Sequence, residues 1–238
     1  MNSGILYIIA TPIGNLSDVT FRAVETLQKV DLIVCEDTRN SKKLLDRYEI
    51  STPTMSFYQN LKSGGSIKPV PKLNLIIQEL KSGKNLALIT DAGTPGISDP
   101  GNQLVASAVE NNIAVIPIPG VSALTTLASV SGIDLTQFVF LGFPPHKKGR
   151  MSFIKKITES EYPVILFESK YRIMKLIADL ADFGGSNGGE KINIIIGREL
   201  TKMFEEIIRG SAEKVLDYLK TDDNKQKGEF VVITYKEK

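Results

Sequence analysis

The chain is poor in the residues that most enzymes use for covalent or metal chemistry. Its 238 residues hold one cysteine, Cys35, and one histidine, His146. A single cysteine excludes an internal disulfide, and one Cys with one His excludes the common zinc sites. Cys35 stands in an apolar run, which predicts a packed core thiol and not a nucleophile. No G-x-G-x-x-G follows the first apolar run, where Thr11-Pro12-Ile13-Gly14-Asn15 stands instead. That argues against a standard dinucleotide fold and against a methyltransferase built on one. A P-loop and a G-x-S-x-G elbow are also missing, which excludes P-loop nucleotide hydrolysis and the usual serine hydrolase. Any enzyme chemistry here works by positioning, carboxylates and basic groups.

Charge of one sign is also scarce in excess. Formal net charge is +2 and the pI about 8.5, too mild to point to nucleic acid by itself, so the clustering of basic residues matters more. No apolar run approaches the roughly 20 residues that cross a bilayer. The opening MNSGILYIIATPIG lacks the basic start and long apolar core of a signal peptide. A cytoplasmic protein without a membrane partner is the expectation.

Apolar runs and helical patterns alternate through the first half. Strands are predicted at residues 4–10, 31–35, 54–58, 86–90 and 113–117. Between them fall helices from Ser17 (its predicted N-cap), over about 40–48, over 73–80 and over about 102–111. Strands separated by helices imply parallel crossovers and an α/β domain. Pro117-Ile118-Pro119-Gly120 predicts a boundary between domains 1–117 and 118–238. The second half predicts helices at 122–131, 152–159, 171–182 and 211–219, and strands at 138–143, 164–167, 192–197, 204–209 and 229–235. Adjacent strands there point to a mixed sheet. Residues 184–189 are glycine-rich and predict a surface turn.

Four loops stand at the ends of apolar strands. They are Ala10-Thr11-Pro12-Ile13-Gly14-Asn15, Glu36-Asp37-Thr38-Arg39, the run from Asp91 to Gly101, and the run from Pro117 to Ser122. Each alone reads as a structural turn; at one edge of one sheet they make a site, because ligands of open α/β sheets bind beyond the carboxyl ends of strands. The third, within LITDAGTPGISDPG, is the most telling, with glycines for close backbone approach and prolines for stiffness.

ATPIGNLSDVT, EDTR, TDAGTPGISDPG, PIPGVSAL and RELTK, in this order, resemble the tetrapyrrole-methylase-like class of S-adenosylmethionine enzymes. Within it they most resemble the 16S ribosomal RNA 2′-O-cytidine methyltransferases, over nearly the whole chain. The resemblance implies two α/β domains, a homodimer, and S-adenosylmethionine folded into a cleft between domains. It also implies methylation of a cytidine ribose in the decoding centre of the small ribosomal subunit. By position it implies donor contacts from Pro12, from Asp91, Ala92, Gly93, Ile97, Ser98 and Asp99, and from Pro119, Gly120, Val121, Ser122 and Ala123. Asp99 has a second reading, as the N-cap of the helix at Asn102.

A ribose hydroxyl needs its proton removed, and two clusters offer acid–base groups. Glu36 and Asp37 stand beside Arg39, which suits phosphate, and Glu199 and Lys202 stand beside Arg198. The first cluster is expected to position RNA and the second to stand near the chemistry; both can equally be ion pairs of a domain interface. Pro144-Pro145-His146-Lys147-Lys148-Gly149-Arg150 is a basic loop flanked by Phe143 and Phe153, and Lys42, Lys43 and Arg47 add a second basic face. Arg39, Lys42, Lys43, Lys147, Lys148 and Arg150 are therefore the expected RNA contacts. No metal is expected. Three segments depart from the resemblance: Phe57-Tyr58-Gln59-Asn60-Leu61-Lys62, Glu168-Ser169-Lys170-Tyr171-Arg172, and the short C-terminal end. A tetrapyrrole C-methyltransferase and a non-catalytic ribosome-assembly factor are the rival readings. The first would show a glycine-rich first loop and an apolar trough; the second would survive loss of Glu199 and Lys202.

Overall fold

The computed structural model describes residues 3–57, 72–99, 101–185 and 191–236. The chain divides into two compact units, residues 1–122 and 123–238. No helix among the described residues is long and apolar enough to cross a membrane.

In the first unit, β1 (Ile5–Ile9), β2 (Leu32–Cys35), β3 (Thr54–Ser56), β4 (Leu86–Ile89) and β5 (Ala114–Ile118) form one sheet in the order β3-β2-β4-β1-β5. Every pairing in it is parallel. Between the strands run α1 (Phe21–Lys29), α2 (Thr38–Arg47), α3 (Leu73–Lys81) and α4 (Asn102–Glu110). The period of two sends alternate residues of β4 to opposite faces. Leu86 and Leu88 pack with Ile76, Leu80, Leu104 and Ala108 of α3 and α4. Ala87 and Ile89 pack with Ala23, Leu27 and Leu45 of α1 and α2. Cys35 lies fully buried in that second layer, and burial pushes its thiol pKa up, as a core thiol requires. Pro117 sits in β5 opposite Ile8; β5 is an edge strand, where a missing N–H is tolerated.

The second unit holds α5 (Ala123–Ser129), β6 (Val139–Phe140), α6 (Arg150–Thr158), β7 (Val164–Ser169), α7 (Ile173–Gly185), β8 (Ile192–Arg198), β9 (Glu206–Ser211), α8 (Ala212–Lys220) and β10 (Glu229–Lys236). Its sheet order is β6-β7-β10-β8-β9. Only β6 and β7 are parallel; the other pairs are antiparallel, so the sheet is mixed, as predicted. Ile154, Leu176, Ile177, Leu180, Val215 and Leu219 from α6, α7 and α8 cover one face over Leu166, Ile194, Ile196 and Val232.

Several element ends differ from the sequence reading. Ser17 is not a helix N-cap. Leu16–Asp18 is a separate 3-10 turn capped by Asn15, and Thr20 caps α1 by accepting from the Ala23 N–H at 3.1 Å. Helix α2 starts at Thr38, with Asp37 as its cap. β6 is limited to Val139–Phe140, and β9 begins at Glu206. Gly184 and Gly185 close α7. The rest of the predicted glycine-rich turn, Tyr58 of the third strand and the segment through Lys62 lie outside the described residues.

A buried ionic set underlies the parallel pair β6–β7. Glu168 is 2% exposed and Arg150 5%. Glu168 takes Arg172 at 3.0 Å and stands 4.0 Å from the Arg150 Nη1, while the Arg150 Nε donates to Asp179 at 2.9 Å. Removing one partner of such a set leaves uncompensated buried charge. Glu168→Ala is therefore expected to lower stability by about 3–5 kcal/mol in urea unfolding. Lys42→Ala, which breaks the exposed pair with Asp46 at 2.9 Å, is expected to cost under about 1 kcal/mol. Equal losses in the two variants would contradict the assignment.

Candidate functional site

Because the first sheet is wholly parallel, β1, β2, β4 and β5 all deliver their loops to one edge. Hydrogen bonds tie the four loops together there. Thr11 and Gly93 exchange backbone bonds in both directions, at 2.9 and 3.0 Å. The Thr11 hydroxyl adds a bond to the Thr90 carbonyl at 3.1 Å. The Thr94 hydroxyl donates to the Val121 carbonyl at 3.1 Å, joining the third loop to the fourth. Asp91 joins the third to the second: its carboxylate accepts from the Asp37 N–H at 3.3 Å and from the Asn40 amide at 2.8 Å.

Two glycines are demanded by this geometry. Gly93 has φ +79, and a Cβ there would meet the Ile13 side chain at 3.4 Å. Gly101 has φ +133, and a Cβ would lie 2.8 Å from Leu88 Cδ2. Ser98 also adopts a left-handed φ of 62, a conformation that non-glycine residues hold only when their surroundings over-determine it. Asp91, Ala92, Ile97, Ser98, Pro119 and Gly120 are exposed, Asp99, Val121 and Ser122 half-buried, and Pro12 and Gly93 buried. Ala123 opens α5 in the second unit and is half-buried. The buried Thr90 hydroxyl has no hydrogen-bond partner among the described residues.

The carboxylates here fall into two kinds. Asp37 caps α2, and its fork with Arg39 (3.1 and 2.7 Å) holds it at about 2. Asp99 and Glu36 have no cation to offset them among the described residues. Burial, then the charges of Glu36 and Asp91, pushes Asp99 up to about 7. Burial and the Asp91 charge push Glu36 up, against a backbone hydrogen bond from Asp91. Asp99 is not a helix cap: α4 is capped by Gly101 without a side-chain bond.

In the second unit, Glu199 and Lys202 occupy the turn between β8 and β9. Lys202 reaches Glu199 at 3.0 Å and Glu229 at 2.8 Å, and Glu199 accepts from the Glu229 N–H at 2.8 Å. Burial works against the charge of both, but the hydrogen bonds prevail. Glu199 is held below its ordinary pKa by the Glu229 N–H and Lys202. Lys202 is held above its own by Glu229 and Glu199. Lys202 therefore keeps its proton at neutral pH and Glu199 is a weak base, so neither is a good proton acceptor there.

Among the expected RNA contacts, Arg39, Lys42, Lys43, Lys147 and Lys148 are exposed. Arg150 is not: it is buried against Asp179 and Glu168 and has no free face for phosphate. Phe153 packs into the core and does not flank an open loop. The sequence reading missed Asn40 and Thr11, which hold Asp91 and Gly93. Their only signal was position, within five residues of a strand end.

The sequence profile of the tetrapyrrole (corrin/porphyrin) methylases matches residues 5–216. A Synechocystis protein named ribosomal RNA small subunit methyltransferase I is 42% identical over 97% of this chain and 78% of its own length. A Leptospira biflexa protein of the same name is 39% identical over 97% of this chain and 90% of its own. A cobalt precorrin-4 methyltransferase of known structure, 16% identical, superposes with a TM-score of 0.65 over 96% of this chain and 94% of its own, which shows a shared fold.

A carboxyl group that titrates higher in the folded than in the unfolded chain favours folding below its unfolded pKa, and that stability is lost as pH rises through the folded value. Asp99 is such a group. Asp99→Asn is thus expected to melt above the native protein at pH 8, with the difference shrinking toward zero near pH 4. Melting scans across that range check it; a gap that widens on acidification would overturn the assignment.

The glycine-built, four-loop edge and the match along the whole length agree, and this chain belongs to the tetrapyrrole (corrin/porphyrin) methylase family, as a methyltransferase of the group named ribosomal RNA small subunit methyltransferase I.

Proposed function

We propose that the protein uses S-adenosylmethionine to methylate the ribose 2′-hydroxyl of a cytidine in the decoding centre of small-subunit ribosomal RNA. The observation that carries the reading is the joined strand edge around Asp91 in a chain whose relatives, matched over 97% of its length, bear the ribosomal RNA methyltransferase name. The donor fits this edge. It is a cation at sulfur and at its amino group, and Glu36 and Asp99, with no cation beside them among the described residues, stand with the Asp91 carboxylate at this edge. Asp91 and Asp99 bind its polar ends, with backbone groups of Ala92, Gly93, Ile97, Ser98, Pro119, Gly120, Val121, Ser122 and Ala123 and the Pro12 loop as the walls. When bound, the donor supplies a methyl group on a positively charged sulfur.

The chain's own residues do the rest. The attacking hydroxyl forms the new O–C bond as the S–C bond breaks, the electron pair goes to sulfur, and the hydroxyl proton must leave. Of the four residues considered for chemistry, Glu36 suits that proton best, because its raised pKa makes it the stronger base. Asp37 caps α2 and orients Arg39, and Glu199 with Lys202 shapes its turn. Arg39, Lys42 and Lys43 offer exposed charge to phosphate; the partner of Lys42, Asp46, is exposed and a weak competitor, whereas Arg39 is held by its fork with the half-buried Asp37.

Small subunits from cells lacking the protein, incubated with labelled donor, are expected to gain label at a 2′-O-methyl cytidine resistant to alkaline cleavage. No label in RNA would sink the reading. Asp91→Ala is expected to weaken donor binding by about 10- to 150-fold in calorimetry, the value of a hydrogen bond to a charged group; unchanged affinity would remove Asp91 from the site. Glu36→Gln is expected to lower kcat by about 100-fold or more with a smaller change in donor affinity, and an unchanged kcat would dismiss Glu36 as the proton acceptor.

A further inference from the structure

Two loops of the second unit, residues 141–149 and 170–172, leave the carboxyl ends of β6 and β7, which are parallel neighbours. They are fastened to one another. The Phe167 N–H donates to the Gly142 carbonyl at 3.0 Å, and the Arg172 Nη1 donates to the Pro144 carbonyl at 2.9 Å. Phe143 and Phe167 are in ring contact, with centroids 5.5 Å apart. Beneath them, Glu168 binds Arg172 and faces Arg150, so both guanidinium charges are turned inward.

What remains outside is of another kind. Tyr171 is 84% exposed and Phe143 50%, and Lys147, Lys148 and Lys170 are exposed around them. The Lys170 ammonium lies 5.1 Å from the Tyr171 ring centroid. Neither loop contains a carboxylate. An exposed aromatic ring with a lysine against its face, in a loop fastened to another that carries two more exposed lysines, has the composition of a stacking platform for single-stranded nucleic acid. A protein partner of acidic character would use the lysines and leave the ring without a role.

We propose that these two loops form one RNA platform, on which Tyr171 stacks against an unpaired nucleobase while Lys147, Lys148 and Lys170 contact the flanking phosphates. Arg172 and Glu168 are its positioning residues: they hold the two loops in one frame and touch no RNA. The proposal rests on the ribosomal RNA reading and adds to it where the RNA is held.

The test is binding of a short single-stranded RNA, with an abasic strand of equal charge and polyglutamate as comparisons, followed by fluorescence anisotropy. Native protein is expected to prefer the base-bearing strand. Tyr171→Ala is expected to weaken that strand by about tenfold and to leave the abasic strand unchanged, whereas Tyr171→Phe keeps native affinity. Lys147→Ala with Lys148→Ala is expected to weaken both strands and to flatten the salt dependence by about two phosphate contacts. Tyr171 is solvent-facing, so its variants leave the core intact. Equal binding of both strands and of polyglutamate by native protein would overturn the platform, as would full affinity in Tyr171→Ala. Methyl transfer to small subunits separates the two ideas: label in RNA with an unchanged KM in Tyr171→Ala overturns the platform alone, and no label with native protein overturns the reading beneath it.

Discussion

The pair of backbone hydrogen bonds between Thr11 and Gly93 is the contact on which the functional edge of the first unit depends. A parallel sheet brings strand ends to one side by topology alone, but loops at that side are usually mobile. Here the first and third loops close on each other in an isolated antiparallel bridge, beyond the point where the parallel pairing of β1 and β4 ends. That closure requires a left-handed residue at Gly93, and it puts Asp91 where Asp37 and Asn40 can donate to it. Thr94 then fixes the fourth loop. One bridge therefore orders three other contacts, and the backbone groups of this edge are held in place by the fold itself.

Much of this was legible in the sequence because it is local. Apolar runs marked every strand of both sheets, and glycine, proline and aspartate marked the loops. The misread places are those where local signals compete or where the partner is remote. Asn15, Ser17, Asp18 and Thr20 are all good cap residues within six positions; Thr20 caps the helix because that phase buries Ala23 and Leu27. Asp37 was read as chemistry and serves first as a cap, since Asp-Thr-Arg at a strand end suits both. Arg150 looked like part of an exposed basic run. Its partner Asp179 lies 29 residues away, and no local pattern announces that distance.

The carboxylates illustrate how the fold distributes electrostatic cost. Where a cation or N–H donor is at hand, as for Asp37 and Glu199, the charged form is favoured. Where no cation lies at hand among the described residues, as for Glu36 and Asp99, burial favours the proton, for Glu36 against one backbone N–H from Asp91. The second pair makes the folded chain less stable near neutral pH than it would be with amides there. Such a cost persists because the two hydrophobic layers on either side of the sheet carry the stability of the unit. In the reading proposed above, a cationic ligand at this edge would favour the charged forms of these carboxyl groups, so what weakens the free protein would strengthen the complex.

The second unit applies the same logic with the sign reversed. Arg150 and Arg172 are guanidinium groups, planar and weakly hydrated, and they tolerate burial against Glu168 and Asp179 better than an ammonium would. Lys147, Lys148 and Lys170 are strongly hydrated point charges and stay in water. Reversing the two types would place lysines where a fork must bind two elements at once, and the loops would lose their common frame. The division of labour between the two cations is therefore set by hydration: arginine builds the support, and lysine with Tyr171 forms the surface it supports.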